Sequence, residues 1–442
     1  IDNEDADEPS GVIRAFNAET GNLVWAWDLG NPEITGLPPP EGYTRSTPNM
    51  WSNPAFDEEL GLVYVPLGNS PPDFWAADRS PEINTYSSSV VALDIETGRE
   101  RWTFQTVHLD NWDYDVAAQP ALYDLPDGQG GVIPALIQAT KTGQIFVLDR
   151  RDGTPIFPVE EKPAPLGKWP TLGNALADTQ PFSTGLPAFG GERLRERDMW
   201  GATFFDQLEC RIVFKRLNYE GVYTPLGSGV FTLIYPGFNG GMNWGGVAVD
   251  EQQGLLIIND MRIPQLATLI PQGTEIPELL ASVGLNRANH YRQVGSPYAV
   301  SWGSFFSRLG LPCHAPPWGV MAAVDLRTGA LVWQRPAGTI EDSMLAGIKV
   351  RLPIPIGMPT LGGALATASG LVFYGGTQDY YLRAFDTQTG DELWKGRLPV
   401  GAQATPVSYI SPTSGRQFVV IAAGGSSSAD PGDYVVAFTL PE

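Results

Sequence analysis

The sequence predicts an all-β fold of the propeller type, and three observations carry that prediction. A hairpin grammar is written five times, at VIRAFNAETGNLVWAW (12–27), VVALDIETGRERWTF (90–104), IFVLDRRDGTPIF (145–157), MAAVDLRTGALVWQ (321–334) and YLRAFDTQTGDELWKG (381–396). Apolar residues before each turn alternate with a period of two, the pattern of a half-buried strand. Fifty glycines, 39 prolines and 13 tryptophans among 442 residues favour many short strands and tight turns over helices.

Each hairpin can be justified in order. Asn17, Asp94, Asp149, Asp325 and Asp386 stand four residues before Gly21, Gly98, Gly153, Gly329 and Gly390. The acidic or amide side chain supplies acceptors for the turn, and the glycine supplies a residue that tolerates positive φ. Four residues further on stand Trp25, Trp102, Phe157, Trp333 and Trp394, delivered to one depth by the returning strand. Such a register suits blades whose aromatic fills the wedge to the neighbouring sheet. The long gap after Gly153 is expected to hold blades whose signature has decayed, such as GGVAVDEQQGLLIIND (245–260), and excursions at 158–200 and 262–320. Loops of that length usually serve function or form interfaces. No linker interrupts the chain, which reads as one domain over 1–442.

Forty-nine acidic against 28 basic residues give a formal charge of −21, which disfavours nucleic acid and anionic lipid as partners. No apolar run reaches the roughly 18 residues of a membrane span. Cys210 and Cys313 lie in no CxxC or CxxCH pattern, so a cysteine zinc site and covalent haem are disfavoured. One long-range disulfide and two buried thiols remain equal alternatives.

The segment HLDNWDYD (108–115) crowds three aspartates and a histidine ahead of an ordinary apolar stretch. An aspartate in such a loop is ordinarily a solvated or turn-capping group. Together with KTGQIFVLDRRDG, DMWGATFFDQLECR, GGALATASGLVFYGG and the hairpin repeat, however, the loop resembles those of the pyrroloquinoline quinone (PQQ) dehydrogenases. The likeness is to the membrane-associated glucose, quinate and polyol enzymes of the bacterial periplasm, and it extends over essentially the whole chain. It implies an eight-bladed propeller of which this chain supplies about five to six blades. The amino-terminal blades and any membrane anchor are then expected upstream or on a separate chain.

The resemblance also implies roles for individual residues. Asp113 matches the general base beside the metal, and Asp115 the position that adds a metal ligand in some relatives. Asn69 matches an amide-oxygen ligand, with Asp2 and Asn3 as weaker candidates for a further one. The oxygen-rich set suits Ca²⁺, with Mg²⁺ or a lanthanide as alternatives. Trp51, outside the repeat register, matches the floor under PQQ. Lys141 matches the cation at the quinone oxygens, and Asn243 and Trp244 a cofactor-contacting pair at the channel mouth. His108 is either an orienting partner of Asp110 or Asp113, or a structural histidine. The implied reaction is oxidation of a polyhydroxylated substrate such as glucose, quinate, shikimate or an open-chain polyol. Electrons would pass to ubiquinone at the outer face of the inner membrane. The rival reading is a non-enzymatic propeller serving as a protein-docking platform. A hydrolase is disfavoured because no Gly-x-Ser-x-Gly elbow occurs.

Overall fold

Six antiparallel sheets follow one another along the chain on a shared plan. The first pairs Ile13–Phe16 with Leu23–Trp27. The second runs Ala55–Asp57, Leu62–Pro66, Ser89–Asp94 and Glu100–Gln105, and the third Ala121–Pro126, Val132–Ala139 and Ile145–Asp149. Val247–Asp250, Leu255–Met261, Gly319–Asp325 and Leu331–Pro336 form the fourth. The fifth runs Ala364–Ala366, Leu371–Gly375, Tyr381–Asp386 and Glu392–Arg397, and the sixth Val407–Ile410, Gln417–Ala423 and Tyr434–Phe438. The structure is a computed structural model and describes residues 5, 7–274, 289–345, 348–376, 378–425 and 430–441. The blade order and near absence of helix are those of a β-propeller.

The five repeats occupy consecutive blades, and at three of them the structure shows a second reason for the glycine. Trp25 of the first blade donates its indole N–H to Ile95 O in the turn of the second, and Trp102 donates likewise to Arg150 O in the third. Trp333 reaches Thr387 O in the fifth. A Cβ on Gly98 would lie 2.5 Å from Trp25, on Gly153 2.7 Å from Trp102, and on Gly390 2.6 Å from Trp333. All three glycines have φ near +70°, between 68° and 76°. Glycine is therefore fixed twice, by the turn and by the neighbouring blade's indole. The same pairs seal the core: Trp25 and Trp27 pack with Val65 and Val91, and Trp102 with Leu136 and Phe146.

The gap after Gly153 differs from expectation. Val247–Met261 supplies the two inner strands of the blade whose outer strands carry Gly329, so among the described residues these segments form one blade and not two. Its inner hairpin lacks the motif because the motif belongs to the turn between the third and fourth strands. The segments between the third and fourth blades, and the long connection within the fourth, build structure of their own. Thr232–Ile234, Gln265–Pro271, Tyr298–Ser304 and Asn289–Tyr291 form a four-stranded sheet, and Phe204–Phe214 is a helix. Cys210 in that helix is bonded to Cys313, which settles the alternative left open for the two cysteines.

Antiparallel order places the Asp-x-x-Thr-Gly turns at one end of the blades. Connections entering a blade, and those joining its second and third strands, lie at the other end. Trp51, 67–88, 106–120, 140–144, 239–246 and the 262–318 excursion are all of this second kind.

Candidate active site

The loop 106–120 is wound on one buried carboxylate. Asp110 accepts from Trp112 N at 2.8 Å, Tyr114 N at 2.8 Å and Ser88 Oγ at 2.6 Å. Tyr114 donates its hydroxyl to Pro236 O and Trp112 its indole N–H to Thr224 O, which ties the loop to distant segments. Between these anchors Asp113 sits at φ 59°, a left-handed conformation that aspartate tolerates better than most residues. The turn aims Asp113 and Asp115 at one cation. Lys141, in the turn between the second and third strands of the third blade, donates to Asp113 Oδ1 at 2.9 Å, Asp113 O at 2.9 Å and Asp115 Oδ2 at 2.7 Å.

Burial differs within this triad: the side chains of Lys141 and Asp115 are 5% and 8% exposed, that of Asp113 23%. Burial opposes ionisation of both acids. Asp115, fixed by the ammonium and by the Asn69 backbone N–H, is nonetheless held below the usual carboxylate range. Burial, with the charge of Asp115, pushes Asp113 well above that range although Lys141 opposes the shift. Lys141 is held above its ordinary value because the two carboxylates outweigh its burial. Over one shared ammonium the two acids thus titrate as a pair, with Asp113 the one that holds a proton more readily.

Asn69 lies beside the triad, but its amide oxygen accepts from Ser70 N at 2.8 Å and Ser87 Oγ at 3.0 Å. Gly68 lets this strand approach, because a Cβ there would lie 2.9 Å from Asp115 Oδ1 and 3.2 Å from Trp51 Cδ1. Trp51 is 42% exposed, with Lys141 Nζ 6.0 Å from its ring centroid. Trp244, also 42% exposed, donates to Gln403 O at 3.4 Å, and its backbone N–H bonds Asn243 Oδ1. Their loop reaches the triad through Gly241 N, which bonds Lys141 O at 2.7 Å. Asp2 and Asn3 lie outside the described residues. Of the two readings of His108, the bonds fit the structural one: its ring nitrogens face Gln105 Oε1 at 2.6 Å and Glu161 Oε1 at 3.0 Å.

Sequence reasoning missed two neighbours. Arg79 is buried and bonds Asp110 O and Pro72 O, and burial lowers it to about 10 against the raising effect of Asp110 and Asp73. Asp73 lines, with Asp113, Phe74, Tyr291, Gln293 and Trp302, a cavity of about 210 Å³. Four carboxylates, Asp73, Asp110, Asp113 and Asp115, therefore interact with two cations, Lys141 and Arg79, and burial pushes Asp73, Asp110 and Asp113 above the usual carboxylate range. Among the described residues no three acids, histidines or cysteines converge tightly enough to hold a metal alone. Asp113 and Asp115 fit as part of a hard-cation donor set, and exposed Trp51 fits as a platform for a flat group.

Residues 1–419 match the family model described as glucose/ethanol/alcohol dehydrogenase, beta-propeller domain, of the PQQ type. The chain belongs to the PQQ-dependent dehydrogenase family. It is 47% identical over 99% of its length to a quinate/shikimate dehydrogenase (quinone) of Acinetobacter baylyi, covering 54% of that protein. It is 44% identical, over its full length and 55% of the relative's, to the quinoprotein glucose dehydrogenase of Escherichia coli. A glycerol dehydrogenase large subunit of Gluconobacter oxydans is likewise 44% identical, over 98% of this chain and 60% of that protein. The chain thus spans little more than half the length of these relatives of the family. Among solved structures, the quinohemoprotein alcohol dehydrogenase of Comamonas testosteroni superposes with a TM-score of 0.60 at 24% identity, over 97% of this chain and 56% of that one. A europium-containing methanol dehydrogenase gives 0.59 at 21%, over 96% and 62%. These likenesses establish the propeller fold.

Proposed function

We propose that the protein containing this chain oxidises a secondary or anomeric hydroxyl of a polyhydroxylated alcohol, cyclitol or aldose with PQQ. The carrying observation is Asp113, clamped by Lys141 yet open to the cavity. The family relatives named for quinate, glucose and glycerol support the substrate class. PQQ, when bound, supplies an electron-poor ortho-quinone that accepts a hydride.

The chain's own residues prepare that transfer. Trp51 would carry the planar cofactor on its exposed face. Lys141 would stabilise the negative charge that the quinone gains on reduction. Asp113 and Asp115 would hold a cation, Ca²⁺ by preference, with Asn69, Asp2 and Asn3 as further donors. That role for Asn69 requires its amide to turn from Ser70 and Ser87. Asp113 Oδ takes the proton of the substrate hydroxyl, helped by the burial that raises its basicity. Asn243 and Trp244 would contact the cofactor at the channel mouth.

Electrons would pass to ubiquinone at the periplasmic face of the inner membrane. The Cys210–Cys313 disulfide supports an oxidising compartment. Among the described residues no helix is long and apolar enough to cross a membrane. The test is full-length protein reconstituted with PQQ and Ca²⁺ and offered quinate, shikimate, glucose and glycerol with a ubiquinone analogue. Turnover of at least one, abolished by chelation and restored by Ca²⁺, is expected; PQQ-independent turnover or none overturns the reading.

A further inference from the structure

The turn SPPDF carries a carboxylate outside the Lys141 triad. Asp73 Oδ1 is sealed from solvent and has no hydrogen-bond partner among the described residues. The nearby donors pass it by: Asn69 Nδ2 bonds the backbone carbonyl of Asp73 at 2.8 Å, and Arg79 Nη2 bonds Pro72 O at 2.6 Å. Nor can the segment rotate freely to find water. Phe74 N is held by Gln293 Oε1 at 3.1 Å and Ala76 N by Asn174 Oδ1 at 2.9 Å. A buried acceptor left unpaired bears its full desolvation penalty, and native proteins rarely keep one without a use.

The same residue lines a cavity, into which a turn of its carboxyl group would bring the unpaired oxygen. Asp73 and Asp113 both line it, and the opposite wall comes from the 289–304 strands, where Tyr291 and Trp302 stack with centroids 6.0 Å apart. Trp302 is further braced edge-on by Phe238 at 4.8 Å. About 210 Å³ corresponds to several water molecules at roughly 30 Å³ each, the size of one small ring-shaped polyol. Burial, with the charges of Asp113 and Asp115, pushes Asp73 above the usual carboxylate range, and in either protonation state its unpaired oxygen can bond a hydroxyl, which both donates and accepts, but gains nothing from a bare methylene.

We propose that Asp73 anchors a second substrate hydroxyl, next to the one deprotonated by Asp113, and so selects cyclic vicinal diols over single alcohols. The stacked Tyr291–Trp302 wall receives the C–H face of the ring. The inference rests on the reading of Asp113 as base. A site built to bond a hydroxyl discriminates strongly against the analogue that lacks it, because the buried acceptor is then left unpaired.

The experiment uses full-length holoenzyme and two probe pairs, glucose against 2-deoxyglucose and cyclohexane-1,2-diol against cyclohexanol. The readout is the ratio of kcat/KM within a pair, with bound PQQ followed by its absorbance and the Ca²⁺ requirement by titration. Asp73→Ala is expected to lower the ratio at least tenfold, mainly through KM for the diol, while Asp73→Asn, which keeps an acceptor oxygen, recovers part of it. An unchanged ratio in Asp73→Ala overturns the proposal. So does loss of PQQ or a raised Ca²⁺ requirement, which would place Asp73 in the cofactor cradle. Should Asp73→Ala fail to fold, Asp73→Ser and Trp302→Leu read the same ratio by shortening the anchor and removing the wall. A parent enzyme that oxidises no alcohol with PQQ overturns the proposed function itself. A parent that oxidises the diols alongside an Asp73→Ala variant of unaltered ratio overturns the anchor alone.

Discussion

Asp113 and Lys141 share one hydrogen-bonded cluster, yet their removal should have separable effects. Asp113→Asn keeps an oxygen of nearly the same shape for the ammonium and any metal, so PQQ retention should survive in part. Turnover should fall by about 10²–10⁴-fold, the contribution of a positioned general base. Lys141→Ala leaves Asp113 and Asp115 buried without their cation, and breaking a buried pair in this way costs about 3–5 kcal/mol. It should therefore lower both the unfolding midpoint and cofactor affinity, whereas Asp113→Asn should shift mainly the rate. Parallel measurement of denaturant unfolding, PQQ titration and dye reduction separates the two. At this scale both residues were legible because each stands in a long local motif. Asp73 was not, because an aspartate after two prolines reads as a turn residue. Its cavity partners Tyr291 and Trp302 stand far along the chain, beyond the reach of any local pattern.

The blade hairpin is one element used repeatedly, and its glycines offer an internal control. Gly21 and Gly98 have nearly equal φ, 70° and 68°, but a Cβ on Gly21 meets nothing within 4 Å while one on Gly98 meets the Trp25 ring at 2.5 Å. Gly21→Ala should cost only the left-handed backbone penalty, about 1–2 kcal/mol. Gly98→Ala should add the cost of forcing Trp25 out of its seat, about 1–3 kcal/mol more. Urea unfolding of the two variants beside the parent checks the difference; equal losses would show that the indole yields without cost. The turn requirement was visible in the sequence, since Asp-x-x-Thr-Gly is a local code. The requirement from the neighbouring blade was not, because nothing in a single hairpin says which indole will lie on its glycine. For the same reason the inner hairpin 247–261 could be read as a separate blade, when pairing of Leu255–Met261 with Gly319–Asp325 makes it half of one.

For the whole molecule, the repeat fixed the propeller, while the excursions that roof the cavity were legible only as long loops. Their strands lack the repeat register and pair across long insertions, as Gln265–Pro271 does with Tyr298–Ser304. One covalent tie, Cys210–Cys313, joins the helix Phe204–Phe214 to the second excursion across 103 residues. A loop of that order constrains the unfolded chain by about 4–5 kcal/mol, so Cys210→Ser with Cys313→Ser should lower stability by an amount of that size. Because the second excursion carries Tyr291 and Trp302, KM for diols should rise more than kcat falls. Beside the disulfide, His314 is buried against Tyr235, and burial with the nearby Arg262 lowers it to about 4 from 6.5. Its folded value lies below its unfolded one, so the unfolded chain binds the extra proton between those limits. The stability gained by keeping the ring neutral is present above pH 6.5 and is lost as pH falls toward 4. His314→Phe keeps a ring against Tyr235 and removes the titration. Between about pH 7 and pH 4.5 its stability should decline less than the parent's by about 2 kcal/mol, since each tenfold change in proton affinity is worth about 1.4 kcal/mol. Urea unfolding at the two pH values reads that difference of differences, and parallel decline in parent and variant would mean that His314 charges freely within the fold.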